Sequence, residues 1–545
     1  MKGRTLKSEK GVVLLAVVVS ILIIAILGFS VLHLASTEII LTQKAVNKTK
    51  AFYAAEAGLE YGLVMLNKLS REHRQALYSD GDILVHYQVS LPAVEGFTFD
   101  VLSVEKVGTV ETKTIDSGSY KGLIASIQKY KITSQATSNE PDAISAKLVQ
   151  WVEYQGFQLF QFAAFYEQDM EMHPGPAMTI TGRIHSNNDI YLGSNSTLSI
   201  DSYITSSGDI YNCSKPGNPQ TQSGTIEIKD ADGHYQNMDF DSRDPDWTSK
   251  ATEIWGGTVQ SQVHGIPTIE LSLAIGDEPI DIIKPGDAGD SEALQEAKLY
   301  YQADLRIIDG VAYDISGNVV DLTYEKDGSS LNPVDMDKSF YNNREGADIT
   351  VTEIDISKLI ESGKFPVNGI LYVSTHNAGA GKQDGVRLVN GKTLPEQGLT
   401  VATDNPLYIQ GDYNHDKAPA SVLCDAINVL SNSWNDAGLW QTATNTEVNT
   451  SFVSGHTPTK DVGYGGGLEN FPRFLENWSG KEFKMTGSMT SLWYSEIATG
   501  QWIYGQPYYE APKRMWGFNG VSDLSMLPPG TPVVYRTHRS NWQQQ

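Results

Sequence analysis

The chain has 545 residues, with 41 Lys and Arg against 65 Asp and Glu and a formal net charge of −24 at pH 7. At roughly 100 to 200 residues per domain this length implies two to four domains rather than one core. An acidic balance repels phosphate backbones, which argues against a large nucleic-acid interface and leaves polysaccharide and protein partners open. Two cysteines, Cys213 and Cys424, are too few for a disulfide-framed fold or a cysteine-rich metal module, and if the chain is exported they form its one candidate disulfide.

Lys2, Arg4, Lys7 and Lys10 stand against Glu9 in the leader, a charge of +3 that leaves −27 on the remainder. From Val12 to Ser36 no residue is formally charged. As a helix, about 25 residues rise roughly 37 Å, enough for a hydrocarbon core of about 30 Å and too long for the apolar region of a cleaved secretory signal, about 7 to 15 residues. The basic start holds the N-terminus in the cytoplasm and places everything after about residue 36 outside, as in a single-pass inner-membrane protein with an exported ectodomain. No proline occurs between Val12 and Pro92, and helix-forming residues continue to about Ser70, so one helix over 12–70 projects beyond the membrane. Ala51, Ala55, Gly58 and Gly62 form a stripe of small residues at steps of three and four. Such a stripe either lets a second helix approach closely or packs on the protein's own domain.

The basic leader ending in Lys10-Gly11, the apolar helix beginning at Val12 and the phrase KAFYAAEAGLEYG at 50–62 resemble type IV pilin-like proteins, specifically the PilX-type minor pilins. The resemblance implies that a prepilin peptidase cuts between Gly11 and Val12, removing 1–11, and that the freed helix stays in the inner membrane until it joins other pilin or minor pilin subunits in a filament. This sequence departs from the family pattern at Val12, where Phe or Met is usual, and at Ala16, where most pilins carry a glutamate. That carboxylate is understood to meet the N-terminal amine of a neighbouring subunit, and a buried charge needs such a partner. Ala16 therefore favours a tip or initiation position.

After the helix, 71–160 alternates apolar and polar residues over 83–105 and 123–154, with turns at Glu95-Gly96 and Asn139 to Asp142. This predicts antiparallel strands covered on one face by the helix, an α+β pilin-like layer. Residues 180–191 and 200–211 align without gaps at an offset of 20, matching Ile180, Ile184, Ser186, Asp189, Ile190 and Tyr191 with Ile200, Ile204, Ser206, Asp209, Ile210 and Tyr211. The repeat predicts either irregular parallel β-solenoid coils or a pair of similar hairpins. With NGILYVS at 368–374, GVRLVNG at 385–391 and NPLYIQGDYN at 405–414, a mainly β ectodomain over 161–430 is expected, carrying an insertion at about 215–350. The aromatic-rich 431–545 is expected to cap the end of the stack, or alternatively to stack on sugar rings.

No hydrolase elbow, phosphate loop, zinc motif or complete calcium loop is present. The acidic stretch 229–247 fits a solvated turn better than a calcium site, and no metal or other cofactor is expected. Asp189 and Asp209 would stack one repeat apart, where a β-helix enzyme acting on carbohydrate could use them, but their equivalent repeat positions suggest turn chemistry. The sequence thus predicts a structural or adhesive minor pilin-like subunit, not an enzyme, displayed at or near a filament tip, with a surface glycan or protein as the ligand of its ectodomain. The alternatives are a membrane-anchored β-helix carbohydrate-active enzyme and a secretion-system pseudopilus subunit.

Overall fold

The computed structural model describes residues 9–73, 81–140, 143–460 and 463–545. Helix α1 runs unbroken over Glu9–Glu72, 64 residues, which at 1.5 Å per residue is about 96 Å. Its two halves meet different surroundings. Val12 to Leu41 is exposed throughout, with Val12 70 % and Leu41 61 % accessible, whereas Ala51, Ala55 and Leu66 are at 0 %. The expected leader falls largely outside the described residues, since 1–8 are not among them.

The buried half of α1 lies on a sheet of β1 (Phe97–Thr114), β2 (Ile124–Ser138) and β3 (Ser145–Gln158), paired antiparallel in that order. Alternation along β2 turns Tyr130, Ile132 and Ala136 toward the helix, where they join Leu59, Leu66 and Leu69 in one core. Each large aliphatic so buried contributes about 1.5–3 kcal/mol. Strand signal was expected from residue 83, but Ile83–His86 forms a helical turn capped by Asp82, whose side chain accepts the N–H of Leu84. The fourth strand comes from the far end of the chain. Val533–Gln544 pairs antiparallel with β3, and Glu270–Leu271 pairs with it in turn.

Beyond Gln158 the structure is mainly β, in mixed sheets, none of which closes into a barrel among the described residues. The largest has eleven strands. From Val259–Gln260 it passes through Ile204–Ser206, Ile184–Ser186 and Ala164–Tyr166 to Met489–Ser491, all parallel. It continues parallel through Ser451–Ser454, Ala420–Cys424, Leu399–Ala402 and Ile370–Ser374 to Leu305–Ile308, and ends in the antiparallel Val311–Asp314. The chain therefore enters this sheet in the middle at Ala164, builds toward Val259, crosses to the opposite end, and works back until Met489–Ser491 meets Ala164–Tyr166. Shorter ladders flank it, and their inward side chains merge into one core that includes Ile190, Ile210, Leu388, Val429, Phe474 and Trp478.

This path corrects two expectations. The stretch 215–350 is not a side insertion only, because Thr225–Lys229, Val259–Gln260 and Leu305–Ile308 are members of the parallel ladders. Nor do residues 431–545 cap an end. Phe471 and Phe474 are 4 % exposed and Trp478 is fully buried, Met489–Ser491 lies in the middle of the large sheet, and Val533–Gln544 returns to the helix-bearing sheet. The helix Trp247–Trp255, with Trp255 at 0 % exposure, lies against the Val259–Gln260 end of the large sheet, and the antiparallel strand Val311–Asp314 forms the other end.

Candidate functional site

The candidate functional element is α1 with its seat. Gly11, Val12 and Ala16 all lie on the exposed stretch of the helix, and a Cβ added at Gly11 would meet nothing within 4 Å. The small-residue stripe is used differently from the helix-partner reading. A Cβ on Gly58 would collide with Ser134 Oγ and stand 2.6 Å from Phe99 Cε1, and one on Gly62 would stand 2.7 Å from Ile132 Cγ2. The stripe is where α1 comes closest to its own sheet, so Ala51, Ala55, Gly58 and Gly62 are closed to another helix.

Polar contacts hold this seat at its edges. Arg539 on the C-terminal strand reaches both Glu60 carboxylate oxygens at 2.6 and 2.7 Å, and Thr537 donates to Asn67 Oδ1. Arg71 pairs with Glu270, and Ser272 Oγ donates to the carbonyl of Ser70 at 2.7 Å. Tyr61 donates to the carbonyl of Ser90 at 2.6 Å. The Arg539–Glu60 and Arg71–Glu270 pairs are surface-exposed and contribute about 0–1 kcal/mol each. They tie the last turns of α1 to the C-terminal strand and to the segment 270–272. Sequence reasoning missed these partners, since a contact between residues 60 and 539 leaves no local trace. The alternation in VVYRTHRSNW at 533–542 was the one available signal.

The 20-residue repeat resolves into a set of identical bonds. Ile184, His185 and Ser186 pair in parallel register with Ile204, Thr205 and Ser206, and Ile190 and Tyr191 with Ile210 and Tyr211. Ser186 Oγ donates to the carbonyl of Gln168 and accepts from the N–H of Asn188, and Ser206 Oγ repeats this with Asn188 and Gly208. Asp189 Oδ1 accepts the N–H of Asp209 at 2.8 Å, while the Tyr191 and Tyr211 hydroxyls donate to Asp189 and Asp209 at 3.3 Å. These aspartates serve turn and layer stacking.

In the acidic stretch 229–247, Asp230 accepts from the N–H groups of Asp232 and His234, and Asp241 accepts from Arg243. Among the described residues no group of three or more potential ligands could hold a metal ion. The cysteines are unbonded, Cys213 half-buried and Cys424 buried. The candidate pairing is therefore not formed in this structure.

A buried ionic cluster lies where the two returning parts of the chain meet. Glu469 accepts from Tyr464 Oη and from the N–H of His173, and burial pushes its carboxyl up to about 7. Glu171 accepts from Thr459 and Asn218, each at 2.7 Å, and burial raises it too. Arg473 pairs with Glu345 at 2.9 Å, and burial takes the His456 imidazole down to about 3, so it is neutral. The adjoining cavity is about 20 Å³, room for about one water molecule. The cluster joins segments from distant parts of the chain.

No family model and no curated protein matches the chain. Among solved structures, the competence-associated pilin ComZ from Thermus thermophilus aligns over 92 % of this chain and 97 % of its own at 12 % identity, with a TM-score of 0.26. At that score the alignment carries no argument about fold or function.

Proposed function

We propose that the chain is a type IV pilin-like subunit of the PilX type, inserted in the inner membrane by the apolar half of α1 and assembled with other pilin subunits through that same half. The observation that carries this reading is the two-sided character of one continuous helix. Val12 to Leu41 is exposed throughout, mostly apolar and with Glu38 as its one formally charged residue, while Ala51 to Leu69 is locked on an antiparallel sheet. A helix hydrophobic on all sides is stable in lipid or in a bundle of like helices, and a rigid link to a folded body lets it move between the two. In this reading a prepilin peptidase removes 1–11, Ala16 suits a position at or near the tip, and the parallel ladders are coils of an irregular solenoid that presents a ligand-binding ectodomain. The layer-stacking bonds of Asp189 and Asp209 support a structural role over carbohydrate cleavage.

The test is N-terminal sequencing of membrane-extracted and sheared material. A mature chain beginning at Val12 that leaves the cell with fibres is expected, and Gly11→Val should keep residues 1–11 attached. A chain that begins at Met1 in both fractions and stays with the membrane on shearing overturns the proposal. Loss of protein secretion with intact pili on deletion would assign the subunit to a secretion-system pseudopilus instead.

A further inference from the structure

Past the last turn of α1, the face of β2 that the helix covers continues beyond Tyr130 to Gln128. The short helices Glu292–Ala297 and Leu299–Gln302, the segment 271–273 and the turn 530–533 stand over it, and they leave a cleft of about 320 Å³. That volume is at the lower end of small-molecule sites, about 300–1,000 Å³. One wall is aromatic. Tyr154 and Tyr535 stack with ring centroids 4.9 Å apart and an interplanar angle of 11°. Gly156 makes this possible, because a Cβ there would lie 2.7 Å from the Tyr535 ring. Leu271, Leu273, Ile282 and Leu299 add aliphatic surface to the lining.

The polar lining mixes the hydroxyls of Ser70, Ser272 and Thr531 with the amides of Gln128 and Gln302, and the buried atom left without a partner is an acceptor. Gln128 is 4 % exposed, and its Nε2 donates to the carbonyls of Val107 and Lys129 at 3.2 and 2.9 Å. That fixes the orientation of the amide and leaves Oε1 as a buried acceptor without a partner at the cleft. Ser70 belongs to the last turn of α1, the end with partial negative charge. Glu296 adds a carboxylate, and among the described lining residues there is no Lys or Arg. A ligand here must donate hydrogen bonds, lay an apolar face on tyrosine rings and carry no negative charge. A buried amide acceptor left unpaired costs about 1–3 kcal/mol, which a donor of the ligand would offset.

We propose that this cleft, between the helix-bearing sheet and the rest of the ectodomain, binds a neutral sugar of one or two rings, with a hydroxyl donating to Gln128 Oε1 and a ring face against Tyr154 and Tyr535. The site is independent of whether the subunit enters a filament. The test uses the full chain in a sugar-free amine-oxide detergent. Saturation-transfer NMR is run with glucose, galactose, mannose, N-acetylglucosamine, maltose and lactose, alongside tetramethylammonium and inorganic phosphate. At least one sugar is expected to bind. Gln128→Met should weaken it about three- to tenfold in a chain that stays folded, although the loss of the Nε2 bonds to Val107 and Lys129 lowers its melting temperature, and Ala297→Phe, which fills the cleft from its rim, should abolish it. Binding of tetramethylammonium alone would reassign the cleft to cations. No binding of any sugar, or sugar binding untouched by both substitutions, overturns the proposal.

Discussion

Gly58→Val tests whether the small-residue stripe belongs to the sheet or to a neighbouring helix. The new Cβ would fall on Ser134 Oγ and 2.6 Å from the Phe99 ring, and the two valine methyls would go deeper into the same seam. Replacing glycine in a helix gains a few tenths of a kcal/mol in propensity, whereas overpacking of this kind costs about 1–3 kcal/mol. The net is a destabilisation of about 1–3 kcal/mol, localised where α1 meets β1 and β2. Hydrogen exchange in detergent is the assay, because it reads local opening. Amides of 97–138 should exchange about 5- to 150-fold faster than in the parent. Gly28→Val is the control on the same helix, since nothing lies within 4 Å of a Cβ there, and it should leave those amides unchanged. If Gly58→Val leaves exchange at the parental rate while assembly fails, the stripe serves another helix and the reasoning is refuted.

Glu469 is held near 7 by burial against an ordinary value of 4.5, so the folded chain keeps a proton that the unfolded chain has released. Its stabilising share, about 3 kcal/mol, is present below about pH 4.5 and lost as the pH rises to about 7. Glu469→Gln should therefore gain on the parent across that window, in paired urea titrations at each pH. A difference that stays constant with pH would contradict this, and the opposing slopes of buried His185 and His456 cancel in the comparison. Trp255→Ala should cost about 3–5 kcal/mol and expose the edge at Val259–Gln260, read as light scattering on mild heating, and an unchanged melting curve would show that the helix is not a cover. Reductant should leave the melting temperature unmoved, because Cys213 and Cys424 are unbonded. A fall of several degrees would mean that they pair.

Several features were legible in local residue order. The expected helix over 12–70 is Glu9–Glu72, and strand signal at 123–154 became β2 and β3. The phrases at 368–374, 385–391 and 405–414 contain strands Ile370–Ser374, part of Lys382–Val389, and Leu407–Gln410. The offset of 20 even gave the register, because Ile184 and Ile204 are direct partners. Ionic contacts were less accessible. Nothing near Glu171 or Glu469 announces that Thr459, Asn218, Tyr464 and His173 will surround them.

By itself the sequence determined what depends on neighbours a few residues away: an apolar helix long enough to cross a membrane, a basic start, alternation in the strands, and the serine and aspartate bonds of a short repeat. Only the tertiary structure decided what the stripe touches, where the chain enters its large sheet, which segments lie at the ends of that sheet, and that the last strand returns to brace the first helix. These contacts join residues hundreds of positions apart, such as Glu60 with Arg539 and Ala164 with Met489. Their stability comes from the fit of whole surfaces, and no local pattern of residues encodes that fit.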